Sequence, residues 1–149
     1  MFPTLKNGNI VCIKKYNLEL KHNDIIVIRK NGKTIIKRLV GMPHDKIKID
    51  NYLYVNGEKC DNLYIEDCGD INNEIYLKDN EYFVLGDNRQ NSIDSRFEEI
   101  GIILKNEIFG KIIFKRGSLN ASCNVSRRNG KKIKKIYRKQ YKVYAENSR

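Results

Sequence analysis

The stretch DIIVIRKNGKTIIKRLVGM, residues 24–42, contains two apolar segments separated by the pair Asn31-Gly32. Both residues tolerate positive φ, so the pair favours the tight turn of a β-hairpin. The flanking segments, residues 24–30 and 33–42, are rich in Ile and Val, which fit the pleated surface of a sheet. The sequence therefore predicts an antiparallel hairpin at the centre of the fold.

Other short β-type segments lie on both sides of this hairpin, with Asn-Gly or Gly-Asp turn signals between them. They cover residues 9–15, 46–49, 52–55, 82–85 and 107–115. No helical periodicity is convincing before residue 115. Many short strands at near-regular spacing predict a mostly β fold, an antiparallel barrel or a sandwich-like core.

The charge distribution divides the chain in two. Of the 149 residues, 40% are hydrophobic and 32% are charged, which is typical of a globular protein. Residues 1–114 contain 17 Lys or Arg and 17 Asp or Glu, so their charges balance. The net charge of +11 is therefore carried by residues 115–149, which contain 12 Lys or Arg and one acid. We therefore predict a core over residues 1–115 and a basic tail over residues 116–149.

The tail has a pattern that favours a basic amphipathic helix. Its apolar residues fall at helical spacing: Ile133, Ile136, Tyr137, Tyr141 and Tyr144. Helices of this kind bind anionic membranes or nucleic acid, or pack on a partner protein. A solvated, weakly structured tail is an equally good interpretation of the same residues.

Two polar segments are candidates for chemistry. Residues 86–96, GDNRQNSIDSR, follow an apolar strand and are almost wholly polar, so they form either a solvated turn or a buried hydrogen-bond network. In the strand before Pro43, alternation places Lys37 and Arg38 on opposite faces. A buried lysine would act as a base because burial lowers its pKa, but the residue pattern alone favours an exposed edge for both charges.

The cysteines give a weaker signal. None of the four stands in a C-x-x-C pair, which speaks against a zinc site. Cys60 and Cys68 would close a short loop as a disulfide in an oxidising compartment. Unpaired thiols are the favoured interpretation.

Taken together, five segments resemble bacterial signal peptidase I, of the serine–lysine signal peptidase family. They are MFPTL, NDIIVIRK, IIKRLVGMPHDKI, YVNG and YFVLGDNRQNSIDSR. The resemblance covers residues 1 to about 115. The resemblance implies a serine endopeptidase that removes signal peptides from exported preproteins at Ala-x-Ala sites. It also implies a Ser/Lys dyad with no metal or organic cofactor, and a location at the cell membrane with the core on the extracytoplasmic face.

The resemblance also implies roles for single residues. Lys37 matches the general base, and Ser92 matches the hydroxyl that orients it. Site support is assigned to Arg38 with Asp87, Asp94 with Arg96, and Asn88. Substrate contact is assigned to Met1, Pro3, Ile35 and Ile36, and the last two resemble one of the rails that grip the extended signal peptide.

The chain departs from the family pattern at its first residue. In the family the nucleophile is the serine directly before the Met of SMxPTL, and here that Met is Met1. The expectation is a chain truncated just after the nucleophile, without the first strand and the upstream membrane segment. A smaller departure is His44, where the family usually has glycine, and we expect it to be a surface substitution.

Three hypotheses about function stay open at this point. The chain is the core of a signal peptidase I, or a non-catalytic remnant or binding module of the same fold, or a nucleic-acid-binding protein that uses its basic tail. For the tail, a membrane surface ranks above nucleic acid, because the core would work beside a membrane. The preproteins and the oligomeric state are not indicated by the sequence.

Overall fold

The computed structural model describes residues 1–60, 64–69, 71 and 73–116. The predicted tail beyond residue 116, including its helical pattern, lies outside these residues. Within the described part, the chain forms β-strands and two short 3-10 turns, Arg89–Asn91 and Lys105–Glu107. The strands are β1 (Ile10–Lys14), β2 (Ile25–Lys30), β3 (Lys33–Gly41), β4 (Lys46–Ile49), β5 (Leu53–Val55), β6 (Glu58–Lys59), β7 (Ile75–Tyr76), β8 (Glu81–Leu85), β9 (Ile103–Leu104) and β10 (Ile108–Arg116).

The predicted central hairpin is present as β2 and β3. Ile28 pairs with Ile35, and Lys30 pairs with Lys33 next to the turn. Asn31 has a φ of 50° and Gly32 a φ of 73°, the positive values that a tight hairpin turn requires. The hairpin prediction is confirmed because both turn residues adopt a conformation that most other residues avoid.

The hairpin lies inside a six-stranded sheet with the order β1-β10-β2-β3-β8-β9. The last strand is therefore inserted between the first two, which ties both ends of the described core together. A second sheet has four strands in the order β6-β5-β4-β7. All the strand pairs are antiparallel.

Strands β3 and β8 contribute to two hydrophobic clusters, because successive residues of a strand point to opposite faces. Leu39 and Val84 are buried in a cluster of the large sheet. Val40 and Phe83, their neighbours in the chain, are buried with Ile47 and other residues of the small sheet. The pair β3–β8 is thus covered on both faces. A charged residue at the end of this pair therefore lies in a partly buried environment.

A mostly antiparallel β fold is confirmed, whereas a closed barrel is not. In the described residues the two sheets have separate strand orders and do not close on each other. The sequence segments at 46–49 and 82–85 agree with β4 and β8 to within one residue. Strands β6, β7 and β9 were not predicted, since two residues are too few to show a period.

Gly41, at the end of β3, is required by close packing. A Cβ atom at this position would lie 2.7 Å from Leu77 Cδ1, 2.8 Å from Ile47 Cδ1 and 2.9 Å from Phe83 Cβ. We predict that Gly41→Ala lowers the free energy of unfolding by about 1–3 kcal/mol, the usual cost of overpacking a core. Urea unfolding followed by circular dichroism measures this, with the exposed Lys48→Ala as control. Equal midpoints for the two variants would contradict the packing argument.

Candidate active site

Lys37 and Ser92 meet at the surface of the large sheet. Lys37 lies in the middle of β3, and its Nζ donates a hydrogen bond of 2.6 Å to Ser92 Oγ. Ser92 follows the 3-10 turn in the loop after β8. A Cβ at Gly86 would collide with Ser92 Oγ, so the glycine leaves room for the serine. The structure therefore brings together two side chains that are 55 residues apart in sequence.

The environment of Lys37 favours its neutral form. Burial lowers the pKa of Lys37, the nearby Asp94 carboxylate raises it, and the Arg96 guanidinium lowers it again. Burial is the largest of these effects because a charged ammonium loses hydration there. A neutral amine that touches a hydroxyl has the chemistry of a general base. The sequence pattern had favoured an exposed position for Lys37, and that expectation is wrong because the loop after β8 covers this face.

Asp94 and Arg96 form a fully buried ion pair under this loop. Their exposed fractions are 0% and 1%. Arg96 Nε donates to Asp94 Oδ1 at 2.8 Å, and Arg96 Nη2 donates to Asp94 Oδ2 at 3.1 Å. Arg96 Nη1 donates to the carbonyl oxygen of Asp67 at 2.6 Å, and Nη2 also reaches the carbonyl oxygens of Arg89 and Ser92 at 2.8 and 3.0 Å. Of the two interpretations of residues 86–96, the buried network is the one that the structure shows.

Arg38 and Asp87 form a second ion pair, on the other face of β3. Arg38 Nε and Nη2 donate to the two carboxylate oxygens of Asp87 at 2.6 and 2.7 Å, in bidentate geometry. Arg38 Nη1 donates to the carbonyl of Asn23 at 2.8 Å. Burial raises the pKa of Asp87, but its hydrogen bonds with Arg38 and Thr4 and the nearby positive charges together lower it by more. The net shift of this pKa is therefore downward. Arg38 is thus half-buried and paired, which corrects the exposed-edge expectation for this residue as well.

One edge of β3 is open beside Lys37. Along β2 the pairing covers Lys33 to Arg38, but on the opposite edge the pairing with β8 begins only at Arg38. Ile35 and Ile36 are half-buried and lie on the part of β3 that has no second strand partner among the described residues. The backbone here is free to pair with an added extended peptide.

The first residues of the chain lie close to the Arg38–Asp87 ion pair and to Lys37. Burial lowers the pKa of the Met1 α-amino group, the Lys37 charge lowers it further, and the Asp87 carboxylate raises it. The α-amino group of Met1 is thus within electrostatic range of both Lys37 and Asp87. Pro3 lines a cavity of about 830 Å³ on the Arg38 face, together with Arg38 and Asp87.

The other residues singled out in the sequence have smaller roles in this geometry. Asn88 makes no side-chain bond to the 3-10 turn, and its backbone carbonyl accepts the Asn91 N–H at 3.2 Å. His44 is exposed, as expected, with a φ of 71° that explains the usual glycine. No disulfide joins Cys60 to Cys68, and Cys68 carries a free thiol.

Sequence reasoning missed three residues that hold the site. Arg89 is buried, and its Nε donates to Gly86 O at 2.9 Å. Ser95 accepts the N–H of Val84 at 3.0 Å. Thr4 contacts Arg38. The polar segment 86–96 already contained the first two, but nothing in composition separates a buried arginine from an exposed one.

Comparison with known proteins is consistent with this geometry. The family model described as signal peptidase, peptidase S26, matches residues 1–116.

The chain belongs to this family.

Several relatives are similar to the chain over most of its length. Signal peptidase I S of Bacillus subtilis (strain 168) is 35% identical in an alignment 132 positions long, which covers 76% of this chain and 71% of the relative. Signal peptidase I of Bacillus caldolyticus is 35% identical in an alignment 135 positions long, which covers 77% of this chain and 73% of the relative. A crystal structure of a signal peptidase I from Enterococcus faecalis V583 has a TM-score of 0.50 and 26% identity, with 63% of this chain and 97% of that chain covered.

The resemblance to bacterial signal peptidase I is therefore confirmed, and with it the assignment to a family of serine endopeptidases. Signal peptidase I activity implies signal peptides of preproteins as substrates. In the part of the chain that the structure describes, no helix is long and apolar enough to cross a membrane. The same residues contain no cluster of three or more His, Cys, Asp or Glu side chains that would hold a metal ion.

The buried pair gives a prediction on stability. Asp94→Asn leaves the Arg96 charge buried without its counter-ion, so we expect the free energy of unfolding to fall by about 3 kcal/mol. The matched control is Glu99→Gln, which removes the exposed partner of Lys33 at 3.4 Å and should cost under about 1 kcal/mol. Urea unfolding of both variants tests this, and similar losses in the two would mean that Asp94 is not structurally critical.

The lowered pKa of Lys37 gives a second prediction. In an NMR titration of its side-chain nitrogen, Lys37 should lose its proton at a lower pH than lysine in a model peptide, whose pKa is about 10.4. Because the folded state binds this proton less tightly than the unfolded state, this group adds stability as pH rises through its folded pKa. A Lys37 signal that titrates at the model-peptide value would contradict the assignment of a desolvated amine.

Proposed function

We propose that this core cleaves signal peptides with Lys37 as general base, acting on a serine that stands directly before Met1 in the complete active site. The observation that carries the proposal is the Lys37 Nζ–Ser92 Oγ hydrogen bond of 2.6 Å at a desolvated amine. The Lys37 charge influences the Met1 α-amino group, which supports a nucleophile directly before Met1. The family resemblance supplies the serine.

The chemistry follows from these positions. Neutral Lys37 takes the proton of the serine hydroxyl while the serine oxygen attacks the scissile carbonyl. Protonated Lys37 then gives that proton to the leaving amine. Water hydrolyses the acyl-enzyme, and Lys37 acts as the base again. Ser92 orients the lysine because its hydroxyl accepts a hydrogen bond from Lys37 Nζ. The two sides of the site are held in place by two ion pairs, Arg38–Asp87 and Asp94–Arg96.

The open edge of β3 is the proposed substrate rail. The residues before the cut would pair with the backbone at Ile35 and Ile36, so that the scissile bond arrives at Lys37. Apolar contact at these half-buried isoleucines favours small side chains before the cut, as in Ala-x-Ala. Met1 and Pro3 would complete the wall of the site.

We further propose that the core works at a membrane surface, on the extracytoplasmic side. The charge of residues 115–149, which carry 12 Lys or Arg and one acid, supports contact with a membrane surface. The family resemblance implies the extracytoplasmic side. Vesicles that contain anionic lipid should bind the full chain, and a chain that ends at residue 116 should bind less. Binding that truncation leaves unchanged would remove this support.

The main test uses a form that is extended upstream so that serine stands directly before Met1. This form should cleave a preprotein at an Ala-x-Ala site. Lys37→Met, which keeps the length of the side chain without its amine, should reduce kcat/KM by at least about 10³-fold. The matched control Lys48→Met should cleave like the parent, and a form with alanine before Met1 should be inactive.

The pH profile separates a base from a structural lysine. Because the neutral amine is the active species, kcat/KM should rise with pH through the pKa of Lys37, with a midpoint below that of an ordinary lysine. Full activity of Lys37→Met would contradict the proposed function. The non-catalytic alternative would gain support if the serine-bearing form bound signal peptides without cleaving them.

A further inference from the structure

Three elements of the fold meet at Thr4. The carbonyl oxygen of Thr4 accepts a hydrogen bond of 2.7 Å from Lys115 Nζ, at the end of β10. Arg38 Nη2, on β3, lies 3.4 Å from the Thr4 hydroxyl oxygen. The same hydroxyl bonds to the carboxylate of Asp87, in the loop after β8. The backbone of Thr4 is therefore held from one side and its side chain from another.

Residues 1–5 form a compact turn around Thr4. The Leu5 N–H donates to the Met1 carbonyl at 2.8 Å, which closes the turn around Thr4. A turn held only at the Thr4 side chain could pivot about that point. A second bond at the Thr4 carbonyl prevents the rotation, and any rotation would displace Met1 relative to Lys37.

We propose that Lys115 is a positioning residue for serine attack, because its bond to the Thr4 carbonyl fixes the position that precedes Met1 relative to Lys37. The inference rests on the proposed function, which places serine at that position. Attack requires the reacting atoms to be held about 3–3.5 Å apart, so a small displacement of the serine is costly. Lys115 is suited to this role because its backbone is held in the large sheet, where it pairs with Val11 of β1.

Lys115 is also exposed, so its replacement should leave the core intact. In the serine-bearing form, Lys115→Met should lower kcat about fivefold with KM within about twofold. Lys115→Arg, which keeps a donor at similar length, should restore most of the rate. Lys48→Met, an exposed lysine of the small sheet, is the matched control and should have the parent rate.

Two further measurements separate positioning from charge and from folding. The pH midpoint of kcat should be the same in Lys115→Met as in the parent, whereas loss of a merely electrostatic effect would move it upward. In the 149-residue chain, amide exchange at Leu5 should be faster in Lys115→Met, while exchange at Val84 in the core should not change.

An unchanged kcat, a shifted pH midpoint that accounts for the loss of rate, or an unchanged Leu5 exchange rate would each overturn the role of Lys115. If the serine-bearing parent cleaves nothing, the proposed function fails on its own. The Leu5 exchange rate then still decides whether Lys115 holds the turn, because that measurement needs no catalysis.

Discussion

The buried guanidinium of Arg96 determines where the loop after β8 lies. It binds the carboxylate of Asp94 and, through its other donors, the carbonyl oxygens of Asp67, Arg89 and Ser92. Asp94 in turn accepts the N–H of Gly86 at 2.9 Å. Together the two side chains join the start and the end of the loop, and Ser92 is held through its backbone carbonyl. The contact between Ser92 and Lys37 depends on this arrangement.

This ion pair is better understood as a positioning device than as a source of stability. Removing two charges from water is expensive, and their attraction in the protein interior recovers that cost only with good geometry and further hydrogen bonds. Arg96 has both, since its donors are directed at oxygen acceptors with a fixed arrangement. An apolar pair of similar size would fill the space, but it would not bind the carbonyl groups of Arg89 and Ser92 in the loop and of Asp67 outside it. The polar composition of residues 86–96 follows from that requirement.

The sequence predicted the parts of the fold that local chemistry controls. Asn31-Gly32 specified its hairpin because few other residues adopt two successive positive φ values. The positions of Lys37 and Arg38 on opposite faces also followed from strand alternation. What covers each face could not be predicted, because Ser92 and Asp87 arrive from segments about 50 residues away. For the same reason the residue pattern favoured exposure for both, and only the family resemblance indicated the correct pairing.

The electrostatics of Lys37 show why burial can control its pKa beside two full charges. The Asp94 carboxylate alone would raise this pKa, and the Arg96 guanidinium alone would lower it. Because the two are ion-paired with Nε and Oδ1 only 2.8 Å apart, their effects on a third group largely oppose each other. Loss of hydration is then the dominant influence, and it acts only on the protonated form. The lowered pKa of Lys37 therefore depends on the pair staying closed, which connects the packing of the loop directly to the basicity of the amine.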